Sequence, residues 1–198
     1  VDAIGSVDGF LTTLGRLERQ GTNGFFQLFV DNDPGNPERY LVFLEQGGLG
    51  LPDESYYREE KFAEIRTAYL AFVEKMLALA GVTDAAARAA RVVALETEIA
   101  AQHWDNVRTR DSEATYNLTT WVELSASGAT PDFNLWLDAL DVPDGALAEL
   151  VVREPSFVTG LAALIDDDHL ESWTDWLRWQ VIRSNAAYLS SEFVSANF

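Results

Sequence analysis

Cysteine is absent from the 198 residues, which excludes disulfide scaffolds, thiolate metal sites and cysteine nucleophiles. That absence leaves the compartment open, because a core of adequate size needs no covalent staples; nothing else in the sequence assigns one. Basic residues are scarce: 14 Lys and Arg stand against 32 Asp and Glu, a formal charge of −18. Such a surface repels phosphate backbones, so no nucleic acid partner is expected. No apolar run approaches the ~20 residues needed to cross a bilayer, and no membrane contact is expected from this segment. Histidine occurs only twice, at His103 and His169. Neither lies in a His-Glu-x-x-His pattern, whose spacing sets two imidazoles on one helical face to share a zinc ion, with the Glu beside its water. A Gly-x-Ser-x-Gly elbow and a dinucleotide fingerprint are also missing, and Gly47, Gly48 and Gly50 lack the Lys-Ser/Thr sequel of a phosphate loop. There is no initiator Met and no secretory leader, and both ends are expected to be cuts in a longer protein.

What is present is ample core material. Apolar residues make up 47 %, with six Trp, eleven Phe and six Tyr, so a folded domain rather than a disordered chain is expected. The apolar spacing predicts a helix over 7–19 (Val7, Phe10, Leu11, Leu14, Leu17), with Gly21 as its stop. Two strand-like runs, 24–30 and 39–45, flank the turn formers Asp31 to Pro37 and predict a β-hairpin with a long loop over about 24–45. Helical periodicity then predicts helices over about 56–80, ended by Gly81, and 84–104, capped by Thr83 or Asp84. A very short link makes these an antiparallel pair. Pro131 and Pro155 are expected to open helices over 131–140 and 155–165. Asp166-Asp167-Asp168 sits where negative charge favours the start of a long helix over 168–190. The expected fold is mainly α: one multi-helix domain with antiparallel helix pairs and a small β-hairpin near the N-terminus.

Three groups invite a functional reading. On the helix predicted over 84–104, Val92, Glu96, Ile99 and His103 share a face, which suggests either a metal or acid–base pair or two buried polar groups bonded to neighbours such as Arg108 or Arg110. Two helical turns separate Glu96 from His103, too far for one ion, and the buried structural pair is the expectation. Trp173, Trp176 and Trp179 form an aromatic row on a helix apolar on most sides, which predicts core packing rather than ligand stacking. The run Asp166–Asp168 lacks the alternating calcium-loop pattern. Asn117-Leu118-Thr119 is a formal glycosylation sequon. No catalytic, cofactor-binding or metal residue is assigned to this chain.

Four segments, in common order, resemble one family. Gly47-Gly48-Leu49-Gly50-Leu51-Pro52-Asp53-Glu54-Ser55-Tyr56-Tyr57 is similar to a Gly-Leu-x-Leu-Pro-Asp-Arg-Asp-Tyr-Tyr signature, departing from it at Glu54 and Ser55. Leu95-Glu96-Thr97-Glu98-Ile99-Ala100, followed by Arg110-Asp111, Tyr116-Asn117 and Leu124, resembles a helix bearing Glu-x-x-x-Ala with its Arg-Asp and Tyr-Asn sequels. Pro131-Asp132-Phe133-Asn134-Leu135-Trp136 is close to Pro-x-Phe-Asp-Trp, with one residue shifted. Trp176-Leu177-Arg178-Trp179, then Tyr188-Leu189-Ser190 and Phe193, is similar to a Tyr-Leu-x-Trp stretch, with Trp176 where Tyr is usual. The family is that of the neprilysin and endothelin-converting enzyme zinc metallopeptidases with their bacterial oligopeptidase relatives.

The resemblance implies a parent zinc endopeptidase in which a helical lid and a catalytic domain enclose a chamber that admits peptides. This chain would be the first half of the lid, with no zinc or other cofactor of its own. Its implied partners are the missing catalytic domain of the same chain and the parent's peptide substrates. A lid fragment is also expected to leave apolar surface uncovered, with Trp121, Trp136, Phe193 and Phe198 as candidates. The alternative is a free-standing helical interaction module without peptidase activity.

Overall fold

A computed structural model describes residues 1–125 and 131–196; Phe198 lies outside the described residues. Helix α1 spans Val7–Glu18, with the Ser6 side chain accepting from the Gly9 amide at its start. Its end is closed as predicted: Gly21 adopts φ +94°, and the amides of Gly21 and Thr22 donate to Glu18 and Leu17. Strands β1 (Phe26–Asp33) and β2 (Asn36–Gln46) follow as an antiparallel hairpin, registered Phe26 to Gln46 through Asn32 to Tyr40. The predicted long loop is instead a tight turn at Pro34-Gly35. Asp33 builds that turn: its carboxylate accepts from the Gly35 amide, the Tyr116 hydroxyl and Arg39 Nε.

The predicted helix over 56–80 is divided into α2 (Ser55–Arg58), a 3-10 turn over Glu60–Phe62, and α3 (Ala63–Leu79). Gly81 caps α3 at φ +74°, with the amides of Gly81 and Val82 bonded to Ala78 and Leu77. Helix α4 (Ala85–Ala100) stops short of the predicted residue 104. Asp84 occupies its cap position in the left-handed region, but its side chain makes no capping bond. Next come a 3-10 turn over Arg108–Arg110, strand β3 (Asn117–Thr119), a short helix α5 (Trp121–Ser125) and helix α6 (Phe133–Leu140). The cap of α6 is Asp132, accepting from the Asn134 amide, with Pro131 one residue earlier. Strand β4 (Leu150–Val152) precedes α7 (Pro155–Leu164), which Pro155 opens as expected. The long C-terminal helix is shorter than predicted: α8 (Leu170–Asn185) gives way to a 3-10 turn over Ala186–Tyr188 and then α9 (Ser191–Ala196). Asp166 accepts from the His169 amide just ahead of α8.

The molecule is therefore mainly α with a small sheet, but the sheet is more than a hairpin. Among the described residues it has four strands in the order β1-β2-β4-β3, with β4 parallel to β2 and antiparallel to β3. One face, with Phe26, Leu44, Leu150 and Val152, joins the main core formed with the helices. The opposite face carries a small cluster of Leu41, Phe43 and Val151, which Phe29 and Tyr116 cover. Strand alternation sorts these residues between the two faces. Trp136, Trp173, Trp176 and Trp179 all lie in the main core, each at most 1 % exposed. The expected uncovered position at Trp136 is thus corrected: its ring is packed among Phe25, Phe26 and Trp121. Trp121 and Phe193 are half-buried, and Tyr188, Val107, Val122, Tyr40 and Val30 are strongly exposed instead.

Candidate functional site

The segment between β2 and α2, Gly47 to Glu54, is irregular, and its backbone polar groups need partners that no ladder supplies. They come from three directions. Tyr57, on α2, accepts from the amides of Gly50 and Leu51 at 3.0 Å each. Trp176, on α8, donates its indole N–H to the Gly48 carbonyl at 3.0 Å. His103, just past α4, meets the Gly47 carbonyl with Nε2 at 2.9 Å. Gly50 has to be glycine, because a Cβ there would stand 1.7 Å from the Tyr69 hydroxyl.

Glu96 is the hub beneath this loop. It is fully buried on α4, and its carboxyl receives the hydroxyls of Tyr57 at 2.7 Å and Tyr69 at 3.0 Å. Tyr69 in turn accepts the indole N–H of Trp179 at 3.0 Å. Burial pushes the Glu96 carboxyl up to about 7, although the two phenolic bonds oppose the shift. Burial likewise raises both tyrosines well above the usual phenol range, so each stays a hydrogen-bond donor. The constellation is a closed chain of donors and acceptors, with every carboxyl oxygen of Glu96 engaged.

The two histidines are committed elsewhere. His103 is not on the α4 face with Glu96, because the helix ends at Ala100; its ring packs edge-on against Phe157, at 4.7 Å between centroids. Burial pulls its pKa down to about 4, so the neutral ring donates through Nε2 to Gly47. The partners of Glu96 and His103 are therefore tyrosines and a backbone carbonyl, not the arginines expected. Arg108 stacks on the Trp104 ring at 3.4 Å instead. His169 bonds Asp166 through Nδ1 at 2.7 Å and lies 3.2 Å from Glu98 through Nε2; the Asp166 bond raises its pKa. Among the described residues, no three acidic or histidine side chains are grouped so as to hold a metal ion. The sequon asparagine, Asn117, is occupied too, donating its amide to the carbonyls of Ala114 and Val152.

A second polar surface lies beside the loop. A hollow of about 510 Å³ runs between the end of α1, strand β1, α6 and α8. Glu18, at its wall, accepts from the Trp136 indole with one carboxyl oxygen; the other is buried without a partner. Burial pushes this carboxyl up to about 8. Gln180 and Arg183, which the apolar periodicity of their helix does not single out, line the same hollow. The signal for them is their spacing of three, which sets both on one face of α8.

This fold, with its loop and buried hub, belongs to a known class. The model of peptidase family M13 matches residues 2–198, and the chain belongs to that family, as its N-terminal region. Endothelin-converting enzyme-like 1 of Mus musculus is 27 % identical over 177 residues, covering 86 % of this chain and 23 % of the relative. Endothelin-converting enzyme 1 of Cavia porcellus is 26 % identical over 185 residues, covering 89 % and 24 %. The inhibitor complex of the zinc metalloprotease Zmp1 of Mycobacterium tuberculosis superposes with a TM-score of 0.93 and 38 % identity, over 100 % of this chain and 30 % of that one. The chain thus spans about a quarter of the length of the curated relatives it matches. Zmp1 is named a zinc metalloprotease; in this chain both histidines are bonded to other partners, and among the described residues no three acidic or histidine side chains are grouped.

Proposed function

We propose that this chain is the first half of the substrate-restricting helical lid of a neprilysin-like zinc metalloendopeptidase, and that it is itself non-catalytic. The observation that carries the reading is the match of residues 2–198 to the N-terminal region of a peptidase family, over a fold in which the buried Glu96 hub is closed upon its own tyrosines. A reaction centre needs titratable groups that face a substrate with free valences. Glu96, His103 and Asp175 instead each satisfy a neighbouring element, which suits a stiff wall. The zinc, its ligands and the general base would be supplied by the parent's catalytic domain. The lid's contribution is steric: a wall of packed helices limits what reaches the metal, a gating role. The parent's substrates would be peptides short or flexible enough to enter the enclosed space.

The test is peptide turnover with added zinc, measured for the 198-residue chain and for the parent protein side by side. The chain alone should leave a mixed peptide library intact, while the parent cleaves short peptides and spares folded proteins carrying the same sites. Hydrolysis by the chain alone, or a parent reading frame that closes without a His-Glu-x-x-His segment, would overturn the proposal.

A further inference from the structure

The hollow beside β1 has features that the lid role does not use. Gln180 is only 2 % exposed, yet its side-chain amide forms no hydrogen bond among the described residues. An amide without a protein partner keeps its donor and acceptor available, and here it lines an open space. One turn on, Arg183 lines the same space and forms no salt bridge among the described residues. On the opposite wall, one Glu18 oxygen is also unpartnered. Gly24 makes room for that carboxyl, since a Cβ there would fall 1.1 Å from it. Between these walls lie Gln27 and Leu28 of β1, the outer strand of the sheet, whose side away from β2 has no strand partner among the described residues.

We propose that this hollow is a subsite for the carboxylate end of an extended peptide, with the peptide main chain beside the free edge of β1 and its terminal carboxylate held by Gln180 and Arg183. A strand edge offers alternating N–H and C=O groups at the spacing of an extended chain, the geometry of β-strand addition. A guanidinium and an amide donor together match the two oxygens of a carboxylate. The carboxyls facing the site do not oppose this. Glu18 is held neutral by burial up to about pH 8, and Glu96, which interacts with Arg183 through space, is spent on Tyr57 and Tyr69. The net charge of −18 disfavours any anion at long range, so the local pair is best observed near 0.15 M salt, where the screening length is about 8 Å. The choice of a peptide as ligand rests on the peptidase reading above.

The probe is a blocked pentapeptide of alternating valine and threonine with a free terminal carboxylate, compared with the same peptide as its amide. Binding is read by calorimetry and by the Trp136 indole resonance of the 198-residue chain. The acid should bind saturably and the amide roughly tenfold more weakly, as expected for loss of a charge-assisted pair. Arg183→Gln and Gln180→Leu should each bring the acid down toward the amide without changing amide binding. Circular dichroism establishes that each variant is folded, and Gln180→Leu serves alone if Arg183→Gln is not. No saturable binding, equal affinity for acid and amide, or a concentration-dependent dimer through β1 that ignores both substitutions would refute the subsite. Turnover by the parent is not read here, so failure of this site leaves the peptidase reading standing, and failure of that reading does not alter these affinities.

Discussion

Three buried carboxyls carry raised pKa values for one reason, loss of solvation: Glu18 to about 8, Glu96 to about 7 and Glu154 to about 7. In the unfolded chain each would ionise near its ordinary value of 4.5. Between that value and the folded one, the native state holds a proton that the unfolded state has released, so stability falls as pH rises through the window. Each such group contributes a slope of about 1.4 kcal/mol per pH unit while it remains protonated in the fold. Chemical denaturation between pH 5.5 and 8 should therefore show decreasing stability, with the loss flattening above about 7 as Glu96 and Glu154 titrate. Glu96→Gln removes one of these groups, and its pH profile should be shallower below 7 than that of the parent chain. A profile that rises over this range, or an unchanged slope in the variant, would show that Glu96 is already ionised in the fold.

Helix α1 crosses α6 so closely that Gly15 touches backbone: a Cβ there would lie 2.2 Å from the Trp136 carbonyl. Gly15→Ala must push the two helices apart and should cost about 1–3 kcal/mol, typical of overpacking. At Gly81 the added methyl meets nothing within 4 Å, but the cap of α3 requires φ +74°. Gly81→Ala should cost about 1–2 kcal/mol through the left-handed backbone alone. The two substitutions are separable by hydrogen exchange. The first should loosen amides on both α1 and α6, the second only the last turn of α3. Equal, local effects from both would contradict the close crossing.

Over the whole molecule, Asp175 ties the long helices together. It is buried on α8, receives Arg88 and Arg91 from α4 and Arg178 from its own helix, and Arg178 reaches on to Asp2 at the N-terminus. Asp175→Ala would leave those guanidinium groups without their shared anion. Breaking a buried pair from one side typically costs about 3–5 kcal/mol, and denaturant unfolding should show that loss with an unchanged dependence on denaturant. A loss below about 1 kcal/mol would mean the arginines simply turn to solvent.

Local rules in the sequence determined the elements whose cause is local. Gly21 and Gly81 ended helices, Pro155 opened one, and the apolar periods placed α1, α3, α4 and α8 because a helix must bury one stripe. The order of four segments was enough to place the chain in its family. Tertiary structure alone decided what depends on distant partners. Strand β4 is three residues buried on both faces, with no alternation to read, and it exists because β2 and β3 flank it. Asp33 closes the hairpin tightly because Tyr116 arrives from elsewhere in the fold to join the hairpin's own Arg39. Trp136, expected at the surface, is interior because α1 and the hairpin cover it. Tyr69 resembled any other apolar helix position, and only the approach of α8 and the Gly47–Glu54 loop made it a link to Glu96. Periodicity shows which face of an element is apolar; which polar groups meet inside is settled by contacts between residues far apart in the chain.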